Sequence, residues 1–233
     1  MPSGSPPGYR GLPPLWVHLP SATEDSQRLE ALSDGVFAVA MTLLIVDIRV
    51  PSLVPHPSFA TLAVAVLRLW PHFASYAVSF LVVGLYWVSH HLIFDQVRRS
   101  DRGLMWLNMI FLLFVVVIPF STALLGRYHD NRFAIIFYAA NLIFVGLSLQ
   151  LVWTYASTRH RLIDPALDDQ IIRLGTARLL AVPIAGAAAA ALTFVSVALG
   201  TAMYVLFLIA YSWPGKWTPY WSVKTGSGES AGP

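Results

Sequence analysis

Residues 28–51 read RLEALSDGVFAVAMTLLIVDIRVP. Between residues 29 and 48 the stretch stays largely apolar, and twenty residues make about 30 Å of helix, the hydrocarbon thickness of a bilayer. It predicts a membrane-spanning helix. It also carries Glu30 and Asp34 near one end, Asp47 at the other and Thr42 between them. Acids at membrane depth are costly unless they face protein or water, so this helix is expected to do more than anchor the chain.

At 3.6 residues per turn, Gly35, Val39, Thr42 and Val46 share one narrow stripe with Leu43 beside it, while Ser33, Phe37 and Leu44 fall opposite. A stripe of small and medium apolar residues is the ordinary signature of a packing seam in a helix bundle. Spacing alone does not separate that seam from a working wall.

Outward from this stretch, five more apolar blocks follow, at 73–94, 104–125, 133–155, 179–199 and 201–213. The 233 residues are 56% hydrophobic and 12% charged, about half the charge of an ordinary soluble domain. The expected fold is all-α: a polytopic membrane protein with six transmembrane helices over 21–213. Residues 1–20, rich in Pro and Gly and without the apolar core of a signal peptide, predict a disordered lead-in. Residues 214–233 predict a flexible tail.

Arg10, Arg28, Arg98, Arg99, Arg102, Arg159, Arg161, Arg173, Arg178, Lys216 and Lys224 fall on one side of such a layout, and Arg49, Arg68, Arg127 and Arg132 on the other. Eleven against four places both termini in the cytoplasm of a cell-membrane protein. The same bias accounts for the net charge of +3 and gives no reason to invoke nucleic acid.

Smaller signals place the connections. Ser21 and Glu24 have capping-box spacing, so the first helix is expected to start there. Pro51, Pro55 and Pro57 end it, 58–70 is apolar but short and reads as an interfacial helix, and Pro71 suits the first turn of the second span. The third span holds Asn108 and is expected to end around Pro119, with Ser121 or Thr122 taking the freed carbonyl. Asn141 and Gln150 are assigned to inter-helix packing, residues 157–175 to a solvated connection, and Gly186 with Ala190 to a close helix contact.

Enzyme chemistry has no foothold. There is no cysteine, G-x-S-x-G, P-loop or H-E-x-x-H. His90 and His91 are adjacent and point about 100° apart on a helix, so they cannot share a metal as an i, i+4 pair does. No cofactor or bound metal is expected. The TVGYG loop of carbonyl-filter potassium channels is also missing, so an ion path here would be lined by side chains without a re-entrant filter.

At residue level, RLEALSDGVFAVAMTLLIVDI resembles the R-x-x-x-F-S-D signature and first span of the transmembrane protein 175 potassium channel family in its bacterial single-repeat form, with Leu32 where Phe is usual. YWVSHHLIF resembles that family's W-x-x-H-x-x-x-F, and LNMIFLLFVVVIPFSTALLG its N-x-x-F-x-x-x-x-x-x-P-F-x-T. The likeness is good from residue 28 to about 155 and extends to the last two spans only in hydropathy. It implies a homotetrameric potassium-permeable channel in the lipid bilayer, with first spans around a central pore. Carried over by position, it puts the hydrophobic gate on Val39, the selectivity-related threonine on Thr42 and a wider apolar stretch on Leu43 and Val46. It implies a polar network behind the pore helix drawing on Arg28, Ser33, Asp34, Trp87 and His90.

Elementary physics agrees that a closed ring of valines blocks ions, since moving an unpaired ion into an apolar medium costs of order 20 kcal/mol. Asp47 at the mouth would concentrate cations or pair with Arg49. Asp34 and His90 read as a structural hydrogen-bond pair or as a protonation-sensitive latch. The rival reading is a proton-permeable channel or proton-coupled carrier with Asp34, His90 and Asp47 as relay groups.

Overall fold

The computed structural model describes residues 22–196, with 199–200, 202–204 and 206 beyond them. Helices α1 (Ala22–Val46), α2 (Phe59–Leu67), α3 (Trp70–Gln96), α4 (Arg102–Val115), α5 (Ile118–Arg127), α6 (Arg132–Ser157) and α7 (Asp169–Leu192) follow in order. Among the described residues the only β pairing is a single bridge between Val97 and Ile163. Five stretches among the described residues are long and apolar enough to span a bilayer: Ser26–Val46, Trp70–Gln96, Arg102–Arg127, Arg132–His160 and Asp169–Leu192. The sixth expected span, 201–213, lies almost wholly outside the described residues, as do the lead-in 1–20 and the tail 214–233.

α1 runs unbroken because nothing from Ala22 to Val46 interrupts it, and it stops where Asp47 turns the chain toward Pro51. α2 is the short apolar helix expected before the second span. Its Ser58 cap accepts the Thr61 N–H at 3.2 Å, and none of its residues is buried. α3 begins with Pro71 in its first turn, where a missing N–H removes no helical bond.

The third span departs from expectation. It does not end at Pro119 but kinks at Val116–Val117 and continues as α5 to Arg127. Ser121 and Thr122 donate to the Ile118 carbonyl, at 2.9 and 2.8 Å. The group that fills the break is Asn141 of α6. With its amide oriented to satisfy both ends, it donates to the Phe114 carbonyl (3.2 Å) and accepts from the Ile118 N–H (3.2 Å).

α6 sits at the centre, packed on α4, α5 and α7, while α1 packs on α3, α4 and α5. The tightest approaches between α6 and its neighbours fall on Gly103, where a Cβ would overlap the Tyr155 side chain, and on Gly146, more than on Gly186. A Cβ at Gly146 would stand 3.0 Å from Pro183 Cδ and 3.2 Å from the Tyr86 hydroxyl, whereas one at Gly186 would make only an ordinary 3.5 Å contact with Ile143.

The connection after α6 is less solvated than its composition suggests. Arg159 and His160 adopt left-handed φ of 54° and 51°, reversing the chain so that Leu162 and Ile163 are buried. The Arg98 N–H then donates to the Leu162 carbonyl at 2.8 Å, clasping the α3–α4 turn to the α6–α7 connection.

The uncovered face of the first helix

α1 divides as the 3.6-residue period requires. Ser33, Phe37, Ala40 and Leu44 are at most 3% exposed, while Val39, Leu43 and Val46 are 55%, 48% and 70% exposed. Gly35 and Thr42 lie on the uncovered side as well. The stripe is therefore not a seam against the chain's own helices. Thr42 Oγ1 donates to the Val39 carbonyl at 2.9 Å. Its hydrogen is spent inside the helix, and what it offers outward is oxygen lone pairs.

Behind the stripe, buried polar bonds fix the helix. Ser33 donates to the Leu29 carbonyl (2.8 Å), Asn108 of α4 donates to Ser33 (3.0 Å), and Asn108 Oδ1 stands 3.0 Å from His90 Nε2 of α3. The chain of bonds is complete with the His90 hydrogen on Nε2. Its Nδ1 has no hydrogen-bond partner among the described residues, and the ring stacks with Phe94 and Phe111, centroids 4.3 and 5.4 Å away. Ser33, His90 and Asn108 are all fully buried, where an unpaired polar group costs about 1–3 kcal/mol.

A second, exposed ladder joins α1 to α3. Trp87 Nε1 donates to Asp34 Oδ1 at 2.8 Å, His91 Nδ1 stands 2.8 Å from Glu30 Oε1, and the Trp87 and His91 rings stack at 6.0 Å. Thus Asp34 and Trp87 meet directly, and Ser33 and His90 meet through Asn108. Arg28 joins neither set and is exposed. Asn108 and Glu30–His91 are the members that sequence reasoning did not place in the network. A lone Asn in an apolar helix announces a partner but not which one. Asp47 is exposed just past α1, with no ion pair to Arg49 among those the described residues form. No group of three or more potential metal ligands occurs among the described residues.

At the arginine-rich end, Asp101 is a hub. One carboxylate oxygen caps α4 through the Leu104 N–H (2.9 Å), and the other takes the Tyr155 hydroxyl and the Arg161 guanidinium, both at 3.0 Å. Burial pushes this carboxyl up, but those donors and the Arg161 charge outweigh it and hold its pKa below the ordinary value. A depressed carboxylate pKa gives stability that is present above the unfolded value and lost as pH falls through the folded one. Asp101→Asn, which keeps the cap, should lower the melting temperature at pH 7 by about 2–4 °C, the equivalent of about 1 kcal/mol. The gap from wild type should narrow in scans below the ordinary carboxylate value of about 3.9.

The uncovered stripe collects no catalytic group. It lies on a membrane-spanning helix held from behind by α3 and α4, and the proteins this chain resembles are helical membrane channels. The sequence model of the family described as endosomal/lysosomal potassium channel TMEM175 matches residues 28–119. A protein named potassium channel from Streptomyces collinus is 37% identical over 191 residues, 80% of this chain and 91% of its own length. The crystal structure of a lysosomal potassium-selective channel TMEM175 homolog from Chamaesiphon minutus aligns with a TM-score of 0.70 at 32% identity, covering 80% of this chain and 96% of that one. The endosomal/lysosomal proton channel TMEM175 of Homo sapiens is 35% identical over 150 residues, 60% of this chain and 29% of that protein. The chain belongs to the TMEM175 family, whose members are ion channels and not enzymes.

Proposed function

We propose that this chain is a potassium-permeable cation channel of the cell membrane, assembled as a homotetramer with both termini cytoplasmic and with the four α1 helices lining the pore. The observation that carries the reading is the division of α1. Its Val39, Thr42, Leu43 and Val46 side is left uncovered by the chain itself while its rear is riveted to α3 and α4. In this reading Val39 is the hydrophobic gate, Thr42 the selectivity position, Leu43 and Val46 the wider apolar stretch, and Asp47 an acid at the mouth. Thr42 suits its role because its outward lone pairs can replace part of a cation's hydration once the pore is wet. The names of the bacterial relatives favour potassium as the permeant ion.

The proton relay through Asp34, His90 and Asp47 has less support. Asp34 bonds Trp87 and His90 bonds Asn108, and thirteen residues of helix, about 20 Å, separate Asp34 from Asp47. Flux from liposomes under opposed potassium, sodium and pH gradients tests the proposal. Unsaturated potassium flux is expected, and Thr42→Val should cut the preference for potassium over sodium roughly fivefold, as losing about 1 kcal/mol of hydroxyl contact would. Flux of protons alone, or none under any voltage or pH, would overturn it.

A further inference from the structure

α7 packs on α6 while α3 packs on α1 and α5, the two scarcely touch each other, and a fissure runs between them. Its midmembrane part is an open, shallow groove lined by Val82, Leu85, Tyr86, Leu149 and Val182. The Tyr86 and Ser89 hydroxyls there donate to the Leu142 and Leu85 carbonyls, so the walls offer hydrocarbon. Ser89 and Leu179 also border a second, more open hollow, which adds Leu92, Gln96, Trp153 and Arg178. The fissure thus changes character along its length, lined by apolar side chains toward the middle and by Gln96 and Arg178 at the other end.

From Val82 to Gln96 is about 21 Å of helix, more than one leaflet of a hydrocarbon core about 30 Å thick. A hollow of that length with an arginine and an amide at its mouth matches an amphiphile with a long chain and a negative head. Basic recesses between membrane helices recognise anionic headgroups in this way. We propose that the fissure binds an anionic glycerophospholipid, with an acyl chain along Val82, Leu85 and Leu149 and the phosphate at Arg178 and Gln96. The site is separate from the α1 face and requires only that the chain spans a bilayer.

The test is thermal unfolding of the purified full chain in detergent with added phosphatidylglycerol or phosphatidylcholine of matched chains, and with inorganic phosphate alone. Phosphatidylglycerol at about 100 times its dissociation constant should raise the melting temperature by about 5 °C or more, with a much smaller shift from phosphatidylcholine and none from phosphate. Arg178→Gln should abolish the difference between the two lipids. Leu179→Trp, filling the junction of the hollows, should abolish the response to phosphatidylglycerol, and Arg98→Gln should respond as wild type. Equal stabilisation by both lipids, an equal shift with free phosphate, or equal loss in Arg98→Gln and Arg178→Gln would overturn the proposal. Should Arg178→Gln fail to fold, an undiminished response in Leu179→Trp would also overturn it.

Discussion

With Val39 replaced by alanine, liposomes carrying the reconstituted chain should leak potassium at rest at least about tenfold faster than wild type, the change produced by removing about 1.4 kcal/mol from the crossing barrier. The expectation follows from where the barrier arises. An ion held in an apolar constriction lacks its hydration, an idealised penalty of order 20 kcal/mol, so small gains in width that admit water have large consequences. Val39→Ala takes two methyl groups from each chain at a position its own helices leave 55% exposed, so the added width is not refilled from within the protomer. Two comparisons sharpen the test. Val46→Ala, in the wider stretch, should change the leak much less. Phe37→Ala, on the buried side of α1 and 1% exposed, should cost about 3–5 kcal/mol of stability instead. A leak unchanged in Val39→Ala, or equal in the Val39 and Val46 variants, would mean that this stripe faces lipid or another surface.

The split of α1 into an uncovered and a packed side was legible because the helix is long, unbroken and asymmetric in residue size. Ser33, Phe37 and Leu44 fall opposite Val39 and Thr42 in the sequence and are buried in the fold for the same geometric reason. The short helix before the second span and the proline opening that span were equally plain, since turn chemistry is local. What was hidden depends on partners far along the chain. Asn108 bonds Ser33 across 75 residues, and Asp101 takes Tyr155 and Arg161 across 54 and 60. Asn141 looked like any packing amide until it proved to occupy the break left by Pro119. Arg28 illustrates the opposite case: motif membership suggested a place in the network, yet neither set of bonds described above includes it. Family resemblance transfers residue identity more safely than contact.

Replacing Asn108 by leucine should produce a loss of stability out of proportion to its small change in bulk behind the uncovered face of α1. The substitution preserves bulk but strips His90 Nε2 of its partner and Ser33 of a donor, both fully buried. Leaving such groups unsatisfied costs about 1–3 kcal/mol each, so the melting temperature should fall by roughly 4–10 °C in a chain of this size. The decisive measurement is the pair. His90 lies among Phe37, Phe94 and Phe111, a setting that fits a phenyl ring, and replacing both partners of a buried hydrogen bond by apolar groups of similar shape can be nearly neutral. Asn108→Leu with His90→Phe should therefore recover most of the loss that either change causes alone. If the double variant also keeps the wild-type dependence of flux on pH, the network is a rivet that holds α1 in register. Recovery of stability without that dependence would instead assign His90 a part in gating, and failure to recover at all would show that the histidine–asparagine bond is not what fixes the helix.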